Sequence, residues 1–451
     1  MLTIIGVGHF ATVFGQQGNI AFSHLTVEEG LSQSTVFSIT QDTKGFIWIG
    51  TRDGLNRYDS HEVKVYKNKD NDTTSLIYNS VNSLLIDSKG QLWVGTYQGV
   101  CIYRPESDNF TRITYNPKNP WSLSNNNVNI IFEDKDKNIW IGTRGGLSLV
   151  QSQHPLRMIN FLHDPKNPES LADNYVRAIH QDTYGDLWVG TSNGLSRIRK
   201  DKQKGYRVTT QNVLKNIKNP LSNNWINAIA EEDHGTLWIG TEKGGLYIFD
   251  PGTNEFYTRR NHGQNPFYQS VVSKIDESVR VVERDKDGQF WIGTMRGLYI
   301  VNPVTYSIKE SSSNPDNPAS LSDNSVRAIF IDRDNSKWIG TYNGGVSFYS
   351  PRSNQFDHFK QIGKNSPLRS RIASALVEDY KHNLWLSVDG FGIIHWDRTN
   401  DKFQVYRHET DDPSSLSHDN VKCICPDGHE GLWFGTFNGL NYFSFSTGKF
   451  T

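Results

Sequence analysis

A tryptophan recurs along this chain at a nearly constant interval and carries the same neighbours each time. Trp48, Trp93, Trp140, Trp188, Trp238, Trp291, Trp338, Trp385 and Trp433 are separated by 45, 47, 48, 50, 53, 47, 47 and 48 residues. The run Asp42-Thr43-Lys44-Gly45-Phe46-Ile47-Trp48-Ile49-Gly50-Thr51-Arg52-Asp53-Gly54-Leu55 sets the pattern that the other copies follow. Nine copies of one unit constrain the fold more than any single motif, because each must bury its apolar surface against the next.

The third copy shows the unit strand by strand. Val128 to Glu133 is a short apolar run, residues 134–138 a tight turn, and Ile139 to Thr143 a second apolar run. A turn through Arg144-Gly145-Gly146 leads to a third strand, Leu147 to Val150, and Met158 to Phe161 is the fourth. A polar, proline-containing connection, residues 163–174, leads to the next copy. With no 3.6-residue periodicity anywhere, the pattern predicts an all-β chain. A lone sheet of this kind would expose two apolar faces, so the copies stack about an axis as blades of a β-propeller. Each tryptophan is then assigned to the packing between blades, and the glycine after Ile or Val lets the neighbouring sheet approach.

Closure has two solutions. The segment Ile20 to Leu25 reads as a fourth strand without a blade of its own. It either completes a seven-bladed ring over residues 19–360, leaving two repeats of a second ring in 361–451, or closes one nine-bladed ring. Ordinary propellers have four to eight blades, which favours seven plus two. The weakened linker at 363–369 falls at that boundary.

A formal net charge of −1 gives no overall basic field of the kind nucleic-acid binding needs, and no apolar run reaches the length of a membrane span. Residues 1–18 read as the remnant of a secretory signal, apolar from Met1 to Gly15 with Val13 and Gly15 as small residues at a cleavage site, although no Lys or Arg precedes them. Cys101, Cys423 and Cys425 fit neither a zinc spacing nor a disulfide framework and are expected to be buried thiols. The turns beginning at Asp134 and Asp285 resemble the start of a calcium loop. The twelfth positions hold Gly145 and Arg296 instead of glutamate, so hairpin turns are expected and no metal site.

The pattern Asp-x-x-Gly-x-[Ile/Leu]-Trp-[Ile/Val]-Gly-Thr-x-x-Gly-Leu resembles the two-component regulator propeller repeat. So do the connections Asn119-Pro120-Trp121-Ser122-Leu123-Ser124-Asn125-Asn126 and Asn317-Pro318-Ala319-Ser320-Leu321-Ser322-Asp323-Asn324. The eighth copy departs most, with Leu386-Ser387-Val388 where Gly-Thr belongs. The resemblance implies the periplasmic sensor region of a hybrid two-component histidine kinase or a related diguanylate cyclase, dimeric in the full receptor. In that family two propellers precede a β-sandwich, a membrane helix and an output domain. No kinase or response-regulator motif is seen, so the chain reads as a fragment, a truncated product or a stand-alone sensor.

In a four-stranded antiparallel blade the connection into the first strand and the turn after Gly-Thr emerge at the same end. Loops held there by a rigid scaffold are where ligands usually bind. Arg52, Asp53, Tyr97, Arg144, Lys243, Arg296 and Tyr342 follow Gly-Thr and are the candidate ligand-binding residues. Basic groups beside aromatic rings suit an anionic or hydroxyl-rich ligand such as an acidic oligosaccharide. Trp121, Tyr175 and Trp225, in or beside the connections, are secondary candidates. An enzymatic propeller would need converging acid and base groups, and Asp53 and Glu242 are the only carboxylates in the first seven post-Gly-Thr pairs. A quinone-dependent dehydrogenase would want a metal cluster and stacking residues, so no cofactor is expected. A protein-binding scaffold is the remaining rival.

Overall fold

A computed structural model describes residues 20–153, 156–203, 205–211, 225–253, 255–259, 265–351, 372–400 and 402–451. The signal-like residues 1–18 and the linker 363–369 lie outside the described residues. The chain divides into two compact units, Met1–Gln355 and Phe356–Thr451.

Nine four-stranded antiparallel sheets follow one another. In sheet 3 the strands are Val128–Glu133, Ile139–Thr143, Gly146–Gln153 and Leu156–Phe161, the first two as read from the sequence and the last two longer than read. The first strands of the nine sheets are Val36–Gln41, Val81–Ile86, Val128–Glu133, Val176–Gln181, Ile226–Glu231, Val279–Arg284, Val326–Ile331, Ala373–Glu378 and Val421–Asp427. Sheet 7 borrows its fourth strand from the chain's beginning: Ser23, His24 and Leu25 pair with Phe348, Ser347 and Val346.

Within the first unit the sheets stack in a cycle. First strands touch from sheet 1 to sheet 7 in order, and the first strand of sheet 7 touches that of sheet 1, so the first strands form the hub. The glycine of Ile/Val-Gly-Thr is what allows this. A Cβ on Gly50 would stand 2.6 Å from Val81, one on Gly142 would stand 2.6 Å from Val176, and one on Gly340 would stand 2.5 Å from Val36. Each glycine admits a β-branched side chain from the next sheet's first strand, and the last one admits that of sheet 1. In sheets 1 to 7 the Gly-Thr strand is buried along its whole length.

The Asp-x-x-Gly turns are explained by the tryptophan six residues on. Asp134 Oδ1 accepts the backbone N–H groups of Asp136 and Asn138 at 3.0 and 2.8 Å, while Oδ2 accepts Trp140 Nε1 at 2.9 Å. The indole is thereby buried without an orphaned donor. The same bond recurs at Trp48, Trp93, Trp188, Trp291, Trp338 and Trp385, and at Trp238 with Glu232 in place of Asp. These carboxylates shape hairpins, and no metal-ligand cluster occurs among the described residues.

In the second unit, sheets 8 and 9 pack together through Trp385, Leu416, Val421 and Phe434. Ser387, which replaces glycine in the eighth copy, is buried and its hydroxyl accepts the N–H of Ala375 at 2.8 Å.

Two expectations are corrected. Trp433 is 39% exposed rather than packed between sheets, because no further sheet covers that face among the described residues. Cys423 and Cys425, on the first strand of sheet 9, are exposed for the same reason, and only Cys101 is buried. The all-β architecture carries a nine-residue helix among the described residues, Pro266–Lys274. Asn265 caps it by accepting from Phe267 N and Tyr268 N at 3.0 and 3.2 Å, and Val271 and Val272 bury one face on sheets 5 and 6. It occupies the longest interval between tryptophans, 53 residues, where the usual connection is replaced.

Candidate functional site

The loop face is built by hydrogen bonds around the threonine of Gly-Thr, which sheet 3 shows in full. Thr143 Oγ1 donates to Gly146 O at 2.9 Å and accepts Gly145 N at 3.0 Å, closing the turn after Gly-Thr. Arg144 N then donates to Asn127 O at 2.9 Å, tying that turn to the residue before the first strand. Equivalent bonds run from Arg52 N to Thr35 O and from Tyr342 N to Ser325 O. The turn and the incoming connection therefore share one end of the sheet.

The candidate residues on this face do not all converge. Asp53 is spent locally: its carboxylate accepts Lys67 Nζ at 2.5 Å and Asn79 Nδ2 at 3.0 Å. Arg296, with an 81% exposed side chain, pairs with Glu277 at 3.4 Å. Burial holds the Glu277 carboxyl above the usual range, and the Thr294 hydroxyl and Arg296 offset this only in part. Arg52 and Lys243 are exposed turn residues, and Lys243 takes a left-handed φ of 90°. Trp121 lies under Arg157, on the fourth strand of sheet 3 and so away from the hub.

The others meet a set of residues that sequence reasoning passed over. In every first strand the register shifts at the second residue, an extra residue in the ladder that re-aims its side chain. Around the ring these residues are Phe37, Asn82, Asn129, Arg177, Asn227, Arg280 and Arg327. Each asparagine clasps the next sheet. Nδ2 of Asn82, Asn129 and Asn227 donates to Val128 O, Val176 O and Val279 O at 2.9, 2.8 and 3.0 Å.

The arginines do something else. Arg327 lies over the rings of Tyr342 and Phe37, at 4.8 and 5.4 Å. Arg177 lies against Trp225 and Tyr175, at 5.0 and 5.5 Å, and Arg144 approaches the same Tyr175 at 5.6 Å. Tyr175 and Trp225 meet edge to face at 6.0 Å. Arg280 has one carboxylate, Glu242, at 3.8 Å. Burial opposes charge on Glu242, yet the Asn227 amide and the charges of Arg280 and Arg177 hold its carboxyl below the usual range. Burial, and then the like charge of Arg280, press the Arg327 guanidinium below its ordinary value, against the pull of Tyr342, Glu242 and Tyr97. A guanidinium remains protonated under such pressure. Sheets 4, 6 and 7 thus place three guanidinium groups near the Glu242 carboxylate of sheet 5, flanked by aromatic rings.

At the far ends of the first strands, residues of sheets 1, 2, 6 and 7 line a cavity of about 500 Å³ that includes Glu283. No helix among the described residues is long and apolar enough to cross a membrane.

The two-component regulator propeller family matches residues 30–53, 75–98, 122–145, 170–193, 220–243, 320–343 and 415–438. The sixth and eighth copies fall outside these matches. A histidine kinase P4 of Formosa agariphila is 49% identical over 61 residues, 14% of this chain and 4% of that protein. Among solved structures, the extracellular domain of a hybrid two-component system from B. thetaiotaomicron matches 96% of the chain and 54% of its own length, with a TM-score of 0.74 and 26% identity. A second such domain from the same organism matches 96% of the chain and 53% of its own length, with a TM-score of 0.59 and 22% identity. The chain thus spans about half the length of these solved domains. A virginiamycin B lyase of Staphylococcus aureus shares the fold at 13% identity and a TM-score of 0.52, over 74% of this chain and 99% of its own.

Proposed function

We propose that this chain, which carries repeats of the two-component regulator propeller family, is the ligand-sensing part of a bacterial signalling receptor and binds an oligosaccharide on the loop face of its first unit. The observation that carries this reading is the likeness, over 96% of the chain, to the extracellular domain of a hybrid two-component system. The location is extracytoplasmic, in the periplasm, and the receptor works as a homodimer whose two arrangements differ in affinity for the ligand. Residues 19–360 form one complete propeller in this reading, and 361–451 contribute two blades to a second.

The chain is non-catalytic by itself. Of the two post-Gly-Thr carboxylates weighed for acid–base chemistry, Asp53 is held by Lys67 and Asn79, and Glu242 by Asn227 and Arg280. A general acid working near neutral pH needs a raised carboxyl pKa, whereas that of Glu242 is lowered.

The test is a thermal-shift screen of the purified chain against neutral and acidic oligosaccharides at several salt concentrations. A saturable rise in Tm with the glycan recovered intact supports the sensor. Cleaved glycan would replace it with an enzyme, and no shift with any glycan would replace it with a protein-binding propeller.

A further inference from the structure

We propose that Arg177, Arg280 and Arg327 form an anion pocket at the hub of the loop face, built for a carboxylate or sulfate group carried on a sugar ring. The sugar carrier rests on the sensing reading above; the anion does not.

The ring itself supplies the comparison. One structural position occurs seven times, at the ladder irregularity of each first strand. In sheets 2, 3 and 5 it holds asparagine, and each asparagine bonds the backbone of the next sheet. That is the structural use of the position. Arg177, Arg280 and Arg327 make no such bond, and among the described residues neither Arg177 nor Arg327 has an ion pair. Nε of both Arg280 and Arg327 is buried without a hydrogen-bond partner. Burying a polar donor unpaired is unfavourable, and so is placing Arg327 within the field of Arg280. Sheets 4, 6 and 7 thus forgo the clasp that sheet 5 between them keeps, and place their guanidinium groups near the Glu242 carboxylate, with Arg280 and Arg327 in each other's field. A bound oxyanion reverses both penalties, because guanidinium groups present paired N–H donors that match a carboxylate or sulfate.

The surroundings indicate what carries the anion. Tyr342 and Phe37 flank Arg327, and Tyr175 and Trp225 flank Arg177. They flank the guanidinium groups with aromatic surface of the kind on which a sugar ring stacks. Tyr97 and Arg144, exposed at the rim, extend the surface to the next residues of a chain-like ligand.

The comparison also defines the test. Asparagine at 177 or 327 can bond Ile226 O or Val36 O, as it does in the other sheets, so R177N and R327N keep the fold while removing the charge. Titration calorimetry on the full chain uses tetragalacturonate, a sulfated disaccharide, the neutral cellotetraose and sodium sulfate. The expected result is binding of an acidic saccharide in preference to cellotetraose, weakened at least about tenfold in each variant, with Tm unchanged or raised. Undiminished acidic-saccharide binding by both variants, or equal binding of cellotetraose by the parent chain, overturns the pocket and leaves the sensor reading standing. A Tm lowered by several degrees in both variants overturns it as well, since the arginines would then be structural. If sulfate alone binds and R327N abolishes that, the pocket stands and the saccharide reading falls. If none of the four probes binds, the pocket is overturned.

Discussion

A Cβ on Gly340 would stand 2.5 Å from Cγ1 of Val36 and 3.2 Å from Cβ of Ala328. Gly340 belongs to sheet 7 and Val36 to sheet 1, so this is the contact at which the ring closes. Gly340→Ala must therefore push Val36 out of its seat, at about 1–3 kcal/mol. Val36→Ala opens the space, and the double variant is expected to lose less than the sum of the two single losses. Urea unfolding of the four chains measures this. Strict additivity would mean that the two residues do not meet at the seam.

Lys337 occupies a slot that is apolar in every other copy, as at Ile47, Leu92, Ile139 and Leu187. It is buried, its Nζ lies 3.1 Å from Asp285 Oδ2 in the preceding sheet, and it covers the ring of Trp291 at 5.2 Å. Removing one partner of a buried pair strands the other, so Lys337→Met is expected to cost about 3 kcal/mol. The exposed pair of Lys64 with Asp108 is the control, and Lys64→Met should cost under about 1 kcal/mol. Denaturant midpoints of the two variants are the comparison.

Glu283 lines the cavity at the far end of the hub and its side chain is exposed to solvent there, yet its crowded surroundings still lift the carboxyl from 4.5 to about 7. A carboxyl with a raised folded-state pKa keeps its proton longer in the folded chain than in the unfolded one. Its adverse effect is therefore absent below pH 4.5 and grows as pH rises through 7. Glu283→Gln is expected to leave Tm unchanged near the acid end of that window. Above it, at neutral to mildly alkaline pH, the variant should gain about 1–2 kcal/mol, less than a full shift would supply because the cavity surface admits water. Tm across this pH range reads the result, and a pH-independent difference would rule out titration as its cause.

Trp140 and Trp433 share a sequence pattern but not an environment. Trp140 is buried and donates to Asp134, while Trp433 is 39% exposed. Asp134→Ala should lower stability by about 2 kcal/mol by orphaning a buried indole N–H. Trp433→Ala should cost much less than Trp140→Ala, for which about 3–5 kcal/mol is expected. Thermal unfolding of the three variants settles the order.

The period of the tryptophans determined most of the architecture before any coordinates. Asp, Trp, Gly and Thr each serve a local need that repeats with the chain: a hairpin, a buried indole, a close approach and a turn. Their spacing was therefore legible residue by residue. The helix at Pro266–Lys274 was less so, because nine residues show too few turns for periodicity to separate from a loop. The rim candidates were also legible as positions, since turn topology placed them at one end of each sheet. Which of them meet was not. Asp53 and Arg296 are taken up by near neighbours, whereas Arg177, Arg280 and Arg327, more than 40 residues apart in sequence, come together. Sequence alone determined what each sheet is, because that chemistry is local. Only the tertiary structure decided what faces the hub, because closing the ring brings one position of every sheet around a common centre.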